Sequence, residues 1–83
     1  MKATVVVELK SGVLDPQGKA IEHSLNALGF GSVEDVRVAK LFRITLREEN
    51  ARNSQQIEQQ IRQMCEKLLA NTVIENFTYQ IEP

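Results

Sequence analysis

Two hydrophobic periods alternate along the chain. Val5, Val7 and Leu9 fall on one side of an extended run, and Thr4, Val6 and Glu8 fall on the other. This pattern predicts a first strand, which Ser11-Gly12 ends. The period then lengthens. Asp15-Pro16 is a strong helix start, because Asp at the N-cap accepts a backbone N–H and Pro in the first turn leaves no N–H orphaned. Ile21, Leu25 and Leu28 come next at i, i+4 and i+7 and predict an apolar stripe on a helix ending at Leu28. Lys19, His23 and Asn26 lie opposite, facing solvent or a partner. Gly29 suits the position after the cap, with Phe30 folding back on Leu25.

Residues 33–47 read as strand throughout. Val36, Val38, Phe42, Ile44 and Leu46 share one face, which only Lys40 interrupts. A single strand over 36–46 would be about 36 Å long, too long for a compact domain whose radius of gyration is near 12 Å. A hairpin is therefore expected. A three-residue loop, Ala39-Lys40-Leu41, would pair Val38 with Phe42 and Val36 with Ile44 and keep all four inside. That loop lacks the Gly or Asn that a tight hairpin favours. Residues 48–53 are polar, and Asn53-Ser54 is a second cap candidate. Ile57, Ile61, Met64 and Leu68 predict the core stripe of a second helix, with Asn71 as a left-handed end. Val73, Phe77, Tyr79 and Ile81 share one face of a last strand, with Glu75 the odd member. The predicted order is β-α-β-β-α-β. Two helices on one face of a four-stranded antiparallel sheet, a ferredoxin-like α+β fold, closes it in one domain spanning 1–83.

Size and charge narrow the function more than the fold does. A chain of 83 residues buries only about 63% of its unfolded surface, enough for one core with little reserve. Residues 1–40 carry five basic and five acidic side chains, and residues 41–83 carry five and six. Neither half has the basic footprint of a nucleic-acid binder. The longest apolar runs are three residues, far short of a membrane span, and the start lacks the pattern of a signal peptide. A cytoplasmic address is expected, with neither nucleic acid nor membrane as partner.

Candidate chemistry is sparse. His23 is the single histidine and Cys65 the single cysteine. His23 lies opposite the apolar stripe, and Cys65 beside Met64 reads as a small buried thiol. One cysteine allows no internal disulfide and no cysteine-based metal site. Glu48-Glu49 reads as a solvated acidic pair in a polar loop. The aromatic strand motifs of an RNA-recognition domain are missing. The first β–α loop, Lys10 to Leu14, has neither the cysteine pair of a metal chaperone nor the arginine of an acylphosphatase-like hydrolase. No catalytic, cofactor or metal residue is expected. Gly18 stands out, because glycine in the first turn weakens a helix relative to alanine by up to about 1 kcal/mol. It reads as a glycine tolerated in the first turn, or as a place where another backbone or an anion approaches closely.

The segments Leu14-Asp15-Pro16-Gln17-Gly18, Val36-Arg37-Val38-Ala39-Lys40 and Met64 through Glu75 together resemble the PurS family, the small subunits of bacterial and archaeal phosphoribosylformylglycinamidine synthase. The chain departs at Ala39, where the family usually has Gly. The resemblance implies a non-catalytic subunit that dimerises, bridges the glutaminase (PurQ) and synthetase (PurL) subunits, and supports ammonia transfer between them. The complex would use ATP and Mg in de novo purine synthesis, with no cofactor on this chain. An ACT-like dimeric domain that binds a small metabolite is the alternative on the same element order. Asp15, Pro16, Gln17 and Gly18 at the helix start and Arg37 and Lys40 at the hairpin are the expected partner-interface residues. Arg37 has solvent-facing parity, so its reversal is expected to leave the isolated chain folded.

Overall fold

The computed structural model describes residues 1–47 and 54–82. The expected cap at Asn53 and the Glu48-Glu49 pair lie outside the described residues. The elements are β1 (Lys2–Leu9), α1 (Pro16–Ala27), β2 (Ala39–Thr45), α2 (Ser54–Met64) continued by a π-helical turn (Cys65–Leu69), and β3 (Glu75–Glu82). The architecture is α+β, with two helices and an antiparallel sheet. Among the described residues that sheet has three strands rather than four, in the order β2-β1-β3.

β1 is central and carries small apolar residues at its buried positions Ala3, Val5 and Val7. Ala3 pairs with Ile44 and Ile81, and Val5 pairs with Phe42 and Tyr79. Small residues down the middle and large ones on the flanks form a trough, and α2 lies in it. Ile57, Ile61 and Cys65 enter from α2 and its π turn and are buried with Ala3, Val5, Val7 and Ala70. The opposite sheet face is largely polar and exposed, with Thr78, Gln80 and Arg43 on it.

The expected hairpin is not formed. Residues 33–38 are an irregular strap that runs back along α1, and β2 begins only at Ala39. The physical reason is that the hydrogen-bonding capacity of the strap is used elsewhere. The Val38 N–H donates to Asp15 Oδ2 at 2.8 Å, and the Asn26 amide donates to the Val33 carbonyl at 3.3 Å. Among the described residues only Gly12 and Gly29 have positive φ, so nothing at 39–41 turns the chain back. The length objection to an extended path also assumed compactness. The molecule is elongated, 52 × 25 × 15 Å with a radius of gyration of 16.6 Å.

The expectation that both helices cover the sheet is corrected in the same way. α2 does so, but no residue of α1 joins the core. The α1 stripe is instead largely open, with Leu28 74% exposed. The end of α1 is as expected. Phe30 N–H donates to Leu25 O at 3.0 Å and Gly29 N–H to Asn26 O at 3.1 Å, with Gly29 at φ 103.

The second helix departs in register. A π turn takes an extra residue per turn and rotates the residues after it. Cys65 takes the core position after Ile61, and Leu68 is left 84% exposed. Asn71 is not left-handed. Ala70 is extended and donates its N–H to Cys65 O, while the Asn71 carbonyl accepts from Ile74 and Glu75 and its side chain accepts from Val73.

Because Ile61 is fully buried between α2 and the sheet, Ile61→Ala should destabilise the chain by about 2–5 kcal/mol. Gln59→Ala, on the exposed face of α2, should change stability by less than about 0.5 kcal/mol. Urea unfolding followed by circular dichroism measures both.

Candidate functional site

The sequence-selected residues meet at one end of the sheet, where β1 leaves and β2 enters. Lys10 N–H donates to Ile74 O at 2.8 Å, which ties the exit of β1 to the approach of β3. Gly12, at φ 88, then turns the chain. Val13 N–H closes the turn onto Lys10 O at 3.1 Å. Asp15 comes next and makes the decisive contacts. Its Oδ1 accepts the Gly18 N–H at 2.9 Å, as an N-cap should. Its Oδ2 accepts the Val38 N–H, 23 residues downstream. One carboxylate therefore joins the start of α1 to the start of β2. These two backbone donors, the Val38 N–H first, and then the nearby Arg37 guanidinium hold the Asp15 carboxyl below its ordinary pKa.

Arg37 closes the junction from the other side. Its Nη1 donates to Val13 O at 2.9 Å and its Nη2 to Lys10 O at 3.1 Å. The planar guanidinium suits two carbonyls held at a fixed separation by a turn. Arg37 thus clamps two backbone carbonyls of its own chain, contacts that the expectation of an undisturbed free chain on its reversal did not include. Arg37 is exposed, as expected, and its guanidinium is nonetheless engaged with two carbonyls of the preceding turn.

Gly18 has an equally local explanation. A Cβ there would collide with the Val36 carbonyl oxygen and would lie 3.0 Å from the Val36 carbonyl carbon. The close backbone expected as one reading of Gly18 belongs to this chain's own strap. Asp15 and Gly18 are both buried. Glu22, one turn beyond Gly18, is buried on the same side, with its carboxylate 3.3 Å from the Lys19 amine.

The outward surface of the junction is formed by the remaining candidates. Gln17 and Lys40 line a shallow groove of about 190 Å³ with Asp15, Glu8 and Glu75. Pro16 is exposed beside it. The structure therefore divides the six candidates. Asp15, Gly18 and Arg37 shape the junction, and Pro16, Gln17 and Lys40 present it. Val36 and Val38 were missed as parts of the site because they act through backbone atoms. The Gly18, Glu22, Asn26 spacing at i, i+4, i+8 was the available signal for the strap, since it marks a second face distinct from the apolar stripe.

His23 is exposed, with Nε2 4.0 Å from the Glu22 carboxylate. Cys65 is buried in the core, and burial raises its thiol pKa, so it is held in the less reactive form. Among the described residues no three His, Cys, Asp or Glu side chains gather as metal ligands. No helix of the described residues is long and apolar enough to cross a membrane.

Comparison with known proteins gives this geometry its context. Residues 2–83 match the family model described as PurS: Phosphoribosylformylglycinamidine (FGAM) synthase. The phosphoribosylformylglycinamidine synthase subunit PurS of Bacillus subtilis is 42% identical over 81 residues, covering 98% of this chain and 92% of that protein. A Bacillus subtilis PurS structure superposes with a TM-score of 0.86 at 41% identity, over 99% of this chain and 98% of that one. A chain of the Thermotoga maritima PurLQS structure superposes with a TM-score of 0.73 at 25% identity, over 95% and 93% of the two chains.

Two outcomes test the junction. Gly18→Val forces α1 away from the strap and should lower the thermal midpoint of the isolated chain, while Arg37→Glu places a carboxylate against two carbonyls and should do the same. Unchanged midpoints would show that the clamp contributes nothing. The second outcome concerns pH. The folded-state pKa of Asp15 is lowered, so its stabilisation is present above the ordinary carboxylate value of about 4 and is lost as pH falls through the lowered value. The midpoint difference between wild type and Asp15→Asn should therefore be largest at neutral pH and shrink below about pH 4.

Proposed function

The chain belongs to the PurS family of phosphoribosylformylglycinamidine synthase subunits, and from that membership we propose how it serves the synthase. It is a subunit of the enzyme in purine biosynthesis. Its part is to assemble the glutaminase (PurQ) and the synthetase (PurL), as a homodimer in the cytoplasm, so that ammonia passes from one active site to the other. ATP and Mg act on the synthetase subunit, and this chain holds neither.

The observation that carries this reading is the likeness over nearly the whole chain to a chain of the PurLQS structure. The site geometry supports it. Asp15, Gly18 and Arg37 are engaged in holding backbone segments together, and the exposed Pro16, Gln17, Arg37 and Lys40 are the surface a partner would meet. Docking serves the reaction because released ammonia is otherwise diluted and protonated in solvent. The ACT-like alternative gains no support from the family match, which covers residues 2–83.

Reconstitution tests the reading. The chain alone should show no glutaminase, ATPase or amidotransferase activity. Mixed with glutaminase and synthetase subunits, it should be required for glutamine-dependent amidine formation. His23→Ala and Cys65→Ser should leave that rate near wild type wherever the chain remains folded. A loss of orders of magnitude with assembly intact would assign one of them to catalysis and overturn the proposal.

A further inference from the structure

One edge of the sheet is left unguarded. β3 is the last strand of the order β2-β1-β3, and its register with β1 runs unbroken from Lys2 opposite Glu82 to Leu9 opposite Glu75. Edge strands are commonly protected by lysine, proline or a bulge. Glu75–Glu82 has none of these, whereas β2, at the other edge, carries Lys40 and Arg43. The hydrogen bond from Lys10 N–H to Ile74 O extends the same register and fixes which groups face outward. Backbone groups alternate sides along an antiparallel strand. Asn76, Thr78 and Gln80 therefore bond to β1, and the N–H and C=O of Phe77, Tyr79 and Ile81 point away from it. Among the described residues no backbone segment meets these outward groups.

The side chains beside that edge are mostly acidic. Phe77, Tyr79 and Ile81 pack on the α2 side of the sheet. A cleft of about 480 Å³ opens there between α2 and β3, with Glu58, Gln59, Arg62 and Tyr79 in its walls. Arg62 Nη2 donates to the Tyr79 hydroxyl at 3.4 Å. Glu58 and Glu66, at i−4 and i+4 from Arg62, both act on its guanidinium. Glu75 stands at the start of β3, where its Oε1 accepts the Asn71 N–H at 2.7 Å. Among the described residues, these carboxylates outnumber the single cation on this side of the edge. Glu82 is on the opposite sheet face, across from Lys2.

We infer that the open edge of β3 receives an extended segment of a different protein chain, paired through its backbone to Phe77, Tyr79 and Ile81 and carrying lysine or arginine on the side that faces α2. Backbone pairing supplies the affinity in strand addition, and alternate side chains supply the specificity. Residues directly opposite in a ladder share a face, so the incoming side chains beside Phe77, Tyr79 and Ile81 are the ones that reach Glu58 and Glu66. A basic side chain there forms charge-assisted hydrogen bonds with them. A second copy of this chain does not fit. β3 paired with β3 would gather the same carboxylates from both chains along one seam, and Glu75–Glu82 has no basic residue to offset them. This surface is additional to the one formed by Pro16, Gln17, Arg37 and Lys40.

Amide exchange resolved residue by residue in the full chain tests the inference, with the end-capped peptide Thr-Lys-Thr-Lys-Thr-Lys-Thr as probe. In the chain alone, the Asn76, Thr78 and Gln80 amides should be protected, and those of Phe77, Tyr79 and Ile81 should exchange freely. With the peptide at about ten times its Kd, exchange at Phe77 and Tyr79 should slow about tenfold. The same peptide N-methylated at each lysine amide keeps its charge but loses the donors that face β3, and at the same concentration it should give no protection. The peptide with glutamate in place of lysine should give none either. Glu58 and Glu66 are exposed on α2 and its π turn. The double variant Glu58→Lys, Glu66→Lys should bind the lysine peptide about tenfold more weakly and should favour the glutamate peptide instead. Phe77 and Tyr79 amides already protected in the chain alone would put a second copy on the edge and overturn the inference. No protection by the lysine peptide, or equal protection by the N-methylated or glutamate peptides, would overturn it as well.

Discussion

A single carboxylate decides the shape of this molecule. Asp15 accepts the Gly18 N–H with one oxygen and the Val38 N–H with the other. The first contact starts a helix, as an N-cap does in many proteins. The second consumes the backbone donor at the point where the strap becomes β2. Arg37 then grips the two carbonyls of the preceding turn. Together they hold α1 against its strap and away from the sheet, and the elongated outline results. The bare α1 stripe is a consequence of that one fastening.

Local chemistry was legible at several places where a residue acts on its near neighbours, though not at Asn71. The Asp15-Pro16 start, the glycine-terminated end of α1 and the inward parity of Phe77, Tyr79 and Ile81 all needed only periodicity and capping rules. The expectations failed where backbone atoms far apart in sequence meet. No pattern in residues 33–47 announces that the Val38 N–H is taken by Asp15, and without that fact a hairpin is the natural compact solution. The exposed Leu68 has a similar origin. Helical spacing extended past Met64 assumes 3.6 residues per turn, and the π turn at Cys65–Leu69 changes the count. The candidate residues lie together at the junction, and Asp15, Gly18 and Arg37 hold its backbone segments. Gly18 and Arg37 looked functional because folding seemed to give no reason for them. The reason lies across the junction, in Val36, Val13 and Lys10.

On the proposed reading, this division bears on how the subunit docks. Residues that rigidify a junction let the few that remain exposed be presented in a fixed relation, which limits the entropy lost on docking. Pro16, Gln17 and Lys40 are held in that way by Asp15 and Arg37. The core beneath them is built from β1 and α2 with Cys65 sealed inside, and Val7 belongs both to it and to the groove at the junction.

The direct test of the fastening is amide exchange at Val38, measured by nuclear magnetic resonance in wild type and in Asp15→Ala. The account predicts that the Val38 and Gly18 amides are protected in wild type and lose protection together in the variant, while Val5 and Ile61 keep theirs. A Val38 amide that exchanges freely in wild type, or that stays protected without the carboxylate, would contradict it.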